Sequence, residues 1–432
     1  MSIDFKKVKE QLDLKSPTFC SHAHNYSIIW LSQGKTSSCC HSKIYDINQF
    51  SSDFHNIEEK RELRKSMKLG QQHEDCSFCW NIENSNDSAV SNRIIYSSRY
   101  LDNNYTHENG NSVLTSCEVS FDSFCDFACI YCNSNFSTSW NTDLKINGPY
   151  ENLKSEDKSA YSLPSENTFN KITKNPNILS FWSYLESEES NSLKMLRLTG
   201  GEPLLSPEFP EFVNKLKKEK FKKITFALNT NLGQNKSIES ILELDDLVED
   251  FRIYTSNETF GDHAEYTRAG LKWDIWINNL EKILQLFSNR DKRHVVITAS
   301  VNALSIFGFL QFLEEVKRLK NINGNLEVIS NPVFFPNFLS LNVLPKDILI
   351  SKITEIEQWL EHNISYFRKN EIAGFMRIIS FARQCCKNTI LKIEIQKDFK
   401  SFVSQYDIRK NKNILISFRD VPEFISWIKS TK

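Results

Sequence analysis

The chain is short of glycine, with 12 in 432 residues, about 3% where ~7% is usual. That scarcity excludes collagen-like and glycine-rich low-complexity architectures. Long apolar runs are also missing. The best candidate, Val295 to Leu313, is interrupted by Thr298, Ser300, Asn302, Ser305 and Gln311, so no span of ~18 apolar residues is expected. Neither sign of charge is in excess: 53 Lys and Arg face 54 Asp and Glu, for a net charge of −1. Bulk binding to nucleic acid or to an acidic membrane therefore has no electrostatic basis, although a local basic patch is compatible with the balance. The opening MSIDFKKVKEQLDLK has no apolar h-region, which argues against a secretory signal and for a cytoplasmic protein. There is no P-loop, no G-x-S-x-G and no histidine-based metalloprotease motif.

Cysteine is what the chain does have. There are 11, an odd number, and in a reducing compartment metal binding or catalysis is a better reading than disulfides. The length allows two or three domains, and the 40% hydrophobic content is enough for a sizeable core. Residues 1–111 hold Cys20, Cys39, Cys40, Cys76 and Cys79 and read as a small, irregular, metal-stapled segment. From 112 to 345 short β-branched and aromatic runs alternate with helical stretches. The predicted strands are Val113–Phe121, Lys194–Thr199, Lys223–Leu228, Phe251–Thr255, His294–Val301 and Leu326–Ser330. Six such strand–helix units predict an α/β fold, a parallel sheet curled into a (βα)6 partial TIM-like barrel. Its chemistry belongs at the carboxyl ends of the strands. The polar stretch Asn141 to Ser180 reads as a surface insertion, and residues 346–432 as a helical C-terminal extension.

Immediately after the first of these strands comes Cys125-Asp-Phe-Ala-Cys129-Ile-Tyr-Cys132. Three thiolates in eight residues can each take one corner of a cubane cluster, which leaves the fourth iron open for chemistry. A zinc site or buried free cysteines are the plainer alternatives. After the next strand stands Thr199-Gly200-Gly201-Glu202-Pro203, the chain's only Gly-Gly pair. Paired glycines let the backbone approach a ligand, and a carboxylate beside them suits a cationic amino group.

The triplet, with Tyr131 before its last cysteine, resembles the signature of the radical S-adenosylmethionine (radical SAM) superfamily, and the GGEP element supports the resemblance. The likeness implies a [4Fe–4S] cluster on Cys125, Cys129 and Cys132, with SAM on the open iron. It further implies reductive cleavage of SAM to a 5′-deoxyadenosyl radical, fed by an external flavodoxin- or ferredoxin-like electron donor. Tyr131, Gly200, Gly201, Glu202 and Pro203 would help to bind SAM. Weaker matches at later strand ends are Asn229, Ser256, Arg268 (in Glu265-Tyr266-Thr267-Arg268-Ala269-Gly270) and Asn331, each equally readable as an ordinary loop residue.

The N-terminal spacing Cys20-x13-Gly34-x4-Cys39, followed by Cys76-x2-Cys79-Trp80, resembles the auxiliary-cluster modules called SPASM and twitch. In the best-known members that module follows the barrel, whereas here it precedes it. The resemblance implies a second [4Fe–4S] cluster on Cys20, Cys39, Cys76 and Cys79, with zinc as the alternative and Cys40 as a rival to Cys39. Cys117 reads as a core residue, and vicinal Cys385-Cys386 as core or partly exposed thiols. A peptide or protein substrate is the leading expectation. The alternatives are a dehydrogenase or rearrangement enzyme acting on a small molecule, and a non-catalytic Fe–S or zinc protein on the same scaffold. No membrane partner is expected, and nucleic acid is disfavoured.

Overall fold

The computed structural model describes residues 5–47, 53–85, 90–98, 110–154, 161, 175–387 and 392–430. Among the described residues the strands are β1 (Tyr26–Trp30), β2 (Lys35–Ser37), β3 (Tyr45–Asp46), β4 (Ser116–Ser120), β5 (Ala128–Cys129), β6 (Met195–Thr199), β7 (Thr225–Thr230), β8 (Asp250–Ser256), β9 (Arg268–Ala269), β10 (Arg293–Val301) and β11 (Leu326–Pro332). The six strands expected from the sequence are β4, β6, β7, β8, β10 and β11. Two compact units divide the chain: 1–122 with 167–200 and 208–227, and 123–166 with 201–207 and 228–432. The chain passes between them several times, the last within β7.

In the first unit β4 lies parallel to both β1 and β6, with Cys117 opposite Ser27 on one side and Leu196 on the other. The strand β1 had no counterpart in the sequence reading. Its residues Ser27, Ile28 and Ile29 are consecutively buried, so it lacks the alternation that marks a half-exposed strand. The N-terminal residues therefore join the same sheet as β4, and the unit boundary does not fall at 111. Strands β2 and β3 complete an antiparallel edge on β1. Aromatic rings fill the core, with Phe121 against Phe181, Trp182 and Phe212. Lys60 is fully buried, and its amine donates to Ser27 Oγ (2.9 Å), Thr36 Oγ1 (2.7 Å) and the carbonyl of Phe54 (3.0 Å). Burial pushes that amine well below its ordinary value, against the three acceptors that surround it.

In the second unit β8, β10 and β11 run parallel. Along β8, Phe251, Ile253 and Thr255 are buried while their neighbours are half-exposed, the period-2 pattern of a strand with one covered face. Helices Trp273–Leu286 and Phe309–Lys320 follow β8 and β10 through apolar stripes. Beyond Pro345 every described element is helical, principally Lys346–Asn363, Lys369–Cys385, Lys392–Lys410 and Pro422–Ser430. Cys385 and Cys386 are both buried there. The expected insertion begins as the helix Thr138–Asn147 and ends in the helix Pro176–Glu186. Residues 155–160 and 162–174 lie outside the described residues. Its Tyr150 and Tyr161 are buried, Tyr150 stacked on Phe402 of the helix Lys392–Lys410 and Tyr161 tilted against the same ring, so this part is packed rather than superficial.

Two histidines of the first unit, His24 and His55, are buried. Burial, reinforced by Arg64, lowers His24 to about 3 and His55 well below its usual value. Unfolding exposes both to water, where they protonate near 6.5. Their neutral packing thus stabilises the fold above pH 6.5, and that contribution is lost as pH falls through 6.5 towards 3. Thermal midpoints followed by circular dichroism should drop between pH 7 and pH 5, on the order of 1.4 kcal/mol per pH unit for each histidine. His24→Phe, which keeps the ring that stacks on Phe19, should flatten the slope; an unchanged slope would refute the assignment.

Candidate active site

The cysteine triplet lies in a loop whose backbone is held residue by residue. Strand β5 pairs antiparallel with β9, placing Cys129 opposite Arg268 and Ala128 opposite Ala269. Ile130 N donates to Thr267 O at 2.8 Å, and Cys132 N donates to Cys129 O at 2.9 Å. Side chains complete the clamp on the carbonyls. Ser139 Oγ donates to Cys125 O (2.8 Å), Ser137 Oγ to Phe127 O (2.7 Å), Trp140 Nε1 to Cys129 O (2.9 Å) and Tyr161 OH to Ile130 O (2.8 Å). Burial pushes all three thiols up, Cys132 to about 12, with Cys129 adding to the rise of Cys125 and Cys132 and Glu258 to that of Cys129. The three sulfurs present a soft, clustered donor set that a cationic cluster would convert to thiolates.

The glycine motif packs directly on this loop. A side chain at Gly201 would put its Cβ 2.2 Å from the carbonyl oxygen of Phe124, so no other residue fits without moving the loop. Gly270 has φ +110, and a Cβ there would come within 2.7 Å of Asp126 O. Glu202 N donates to Phe124 O at 2.5 Å. The Glu202 carboxylate is buried and accepts from Asn231 N (2.5 Å) and Leu204 N (3.3 Å). Burial pushes it up to about 7, against the pull of these hydrogen bonds. Its first task is thus local: it ties the turn after β6 to the turn after β7.

Asp126, inside the cysteine loop, extends the same tie. Its oxygens accept from Asn231 Nδ2 (2.8 Å) and Gln234 Nε2 (2.6 Å).

A third buried set faces Cys129. Tyr131 OH donates to Glu258 Oε2 at 3.0 Å, Arg268 Nη1 pairs with the same oxygen at 3.1 Å, and Arg268 also bonds Tyr131 OH. Glu258 is fully buried, and burial raises its carboxyl. Arg268 holds a positive charge beside the Cys129 sulfur, which accounts for the downward pull it exerts on that thiol. Two buried donors in this set, Asn257 Nδ2 and Arg268 Nε, have no hydrogen-bond partner among the described residues. Buried donors normally find a partner, so these two fit the acceptor groups of a ligand.

Residues 119–299 match the family model of the radical SAM superfamily. This stretch, less than half of the chain, is similar to the domain of radical SAM enzymes. No curated protein matches the chain. Two solved structures are similar to it. Native anSMEcpe with bound AdoMet is 16% identical with a TM-score of 0.31, and the match covers 58% of this chain and 62% of that one. Streptococcus suis SuiB bound to S-adenosylmethionine is 11% identical with a TM-score of 0.32, over 77% of this chain and 67% of that one. The chain thus spans less than two thirds of the length of the first.

The residues expected from the sequence to bind the cluster and SAM fall into two groups. Cys125, Cys129, Cys132, Tyr131, Gly201, Glu202 and Arg268 are tied into the contacts just described, and Pro203 is buried in the short 3-10 turn that follows. The others stand apart. Gly200 ends β6 with φ +131 and packs on Ser120. Asn229 lies within β7, and it is Asn231 that reaches the loop. Ser256 Oγ bonds Thr298 Oγ1 at 3.0 Å, and the exposed Asn331 is engaged by Arg377. Sequence reasoning missed Glu258 and Asp126. The first follows a strand end by two residues and the second sits between ligand candidates, positions that an acidic residue alone does not single out.

In the first unit Cys20, Cys39, Cys76 and Cys79 all line one pocket, together with His22 and Tyr96. Burial and the sulfurs around it push Cys79 up to about 12, and Cys20 and Cys76 are raised in the same way. Cys40 does not line the pocket: it is exposed, with its sulfur 3.8 Å from Tyr96 OH. Among the described residues no three His, Cys, Asp or Glu side chains are gathered tightly enough for a single metal ion. A cubane instead takes its thiolates on separate irons.

The close approach at Gly201 yields a direct test. Gly201→Ala must displace the Phe124 carbonyl, at a cost of roughly 1–3 kcal/mol as in other overpacked sites. Iron bound after anaerobic reconstitution should fall by at least half, while Gly324→Ala, where a Cβ meets open space, should leave it unchanged. Equal iron in both variants would show that the loop does not depend on this contact.

Proposed function

We propose that the chain is a radical SAM enzyme that modifies a peptide or protein, with a (βα)6 partial barrel carrying the SAM-cleaving centre and an auxiliary cluster in the N-terminal residues. The observation that carries the first part is the clamped loop of Cys125, Cys129 and Cys132, with Arg268 set against Cys129. These three thiolates hold a [4Fe–4S] cluster and leave one iron free for SAM. When bound and reduced, that pair supplies a 5′-deoxyadenosyl radical able to abstract a hydrogen atom from substrate.

The chain's own residues provide order and charge. Arg268 offsets the negative charge of the cysteine sulfurs, and Glu258 and Tyr131 keep its guanidinium turned towards them. Gly201 gives the backbone its close approach, and Glu202 with Asp126 fixes the two neighbouring turns. The unpartnered Asn257 Nδ2 and Arg268 Nε are the donors that would meet acceptor groups of SAM.

For the second part, convergence of Cys20, Cys39, Cys76 and Cys79 on one pocket supports a four-thiolate auxiliary [4Fe–4S] cluster, with Cys39 rather than Cys40 as ligand. Such a cluster can take up the electron left on a substrate radical, which makes oxidation or cross-linking of a peptide feasible. An external flavodoxin- or ferredoxin-like protein would deliver the reducing electron.

Iron and sulfide analysis tests both parts at once. Wild type should hold about eight irons, and the variant with alanine at Cys125, Cys129 and Cys132 about four, at four irons per cubane. Under strong reductant wild type should release 5′-deoxyadenosine and Cys129→Ala should not. Wild-type protein with zinc and no iron would overturn the enzymatic reading. About four irons falling to none would remove the auxiliary cluster alone.

A further inference from the structure

One face of the first unit's sheet carries a charged network in an unusual place. The registers of β4 with β1 and β6 put Tyr26 opposite Ser116, and Glu118 opposite Arg197. The Glu118 carboxylate accepts from Tyr26 OH (2.9 Å) and Thr199 Oγ1 (3.4 Å), and Arg197 Nη1 pairs with it at 3.5 Å. The neighbouring positions that point to the other face, Val119, Leu196 and Leu198, are completely buried. A carboxylate and a guanidinium in the middle of a parallel sheet are costly unless they have work to do. They are not sealed in: their side chains keep 20% and 25% of their exposure, so a ligand can reach both.

The same face is joined to the N-terminal cysteine pocket. His22 stacks on Tyr26 with ring centroids 4.1 Å apart, and on Tyr96 at 4.6 Å. Both His22 and Tyr96 line that pocket. From Glu118 to the cysteines the path therefore runs through one phenol and one imidazole in contact.

We propose that Glu118 and Arg197, oriented by Tyr26 and Thr199, form a recognition site for a peptide amide, set one aromatic layer from the auxiliary cysteine site. The proposal rests on the peptide reading given under Proposed function and names where that substrate is held. An amide is the group that answers both partners at once, because its N–H donates to the carboxylate while its C=O accepts from the guanidinium. It also leaves the ion pair neutral overall, whereas a ligand with one net charge would leave one partner opposed by like charge.

Saturation-transfer NMR on the full-length protein, reconstituted with iron and sulfide and saturated with SAM, tests this. The probes are N-acetylated, C-amidated tetrapeptides of mixed sequence, with a hexose and uridine as non-peptide counterparts. The peptides should receive saturation, and Glu118→Gln and Arg197→Lys should each reduce it at least fivefold at wild-type iron content. If either variant loses iron, Thr199→Val, which removes one orienting hydroxyl and keeps the shape, takes its place. Peptide binding that is unchanged in the variants would overturn the site while leaving the peptide reading intact. Saturation of the hexose or uridine alone, lost in the variants, would overturn the peptide class and with it this proposal, as would the absence of saturation from every probe.

Discussion

The site depends on how backbone carbonyls are restrained in a stretch with little secondary structure of its own. Residues 125–132 form only the two-residue strand β5, yet the carbonyls of Cys125, Phe127, Cys129 and Ile130 each accept from a polar side chain or indole. A loop with free carbonyls would satisfy them with water and sample many conformations. Here the donors come from residues buried in aromatic packing, Trp140 and Tyr161 among them, so the loop inherits the rigidity of the core. The backbone that carries the three cysteines is thereby fixed by its surroundings rather than by its own secondary structure.

Charge is handled differently in the two units. Behind β5 a full guanidinium–carboxylate pair, Arg268 with Glu258, is kept in the interior together with a phenol. Breaking such a pair by removing one partner usually costs ~3–5 kcal/mol, because the other charge is stranded. Its retention beside Cys129 is understandable where negative sulfur must be balanced. In the first unit Lys60 is equally buried, and it is satisfied by two hydroxyls and a carbonyl. The contrast separates a cation set beside sulfur from an amine used as a structural tie.

Much of this was legible in the residues. The six strands were visible because β4, β6, β7, β8, β10 and β11 combine β-branched residues with turn-rich flanks, and the triplet with GGEP pointed to one chemistry by its spacing. The four N-terminal cysteines singled out by their spacing line one pocket. What could not be read was long-range pairing. Nothing in Tyr26–Trp30 says that it lies beside Ser116–Ser120, and a run of buried positions hides its strand period. Likewise Glu258 becomes meaningful only once β9 brings Arg268 back to the cysteine loop. Nor does the GGEP spacing show that each Glu202 oxygen accepts from a backbone N–H of a neighbouring turn.

Tyr406, on the helix Lys392–Lys410, bonds the carbonyls of Ala128 and Tyr266, one in the cysteine loop and the other two residues before β9. The same helix covers Trp140 and Tyr150 with Lys410 and Arg409. During synthesis the cysteines leave the ribosome long before this helix exists. The loop therefore acquires its last restraints only after the helix Lys392–Lys410 has been made, more than 250 residues after the cysteines.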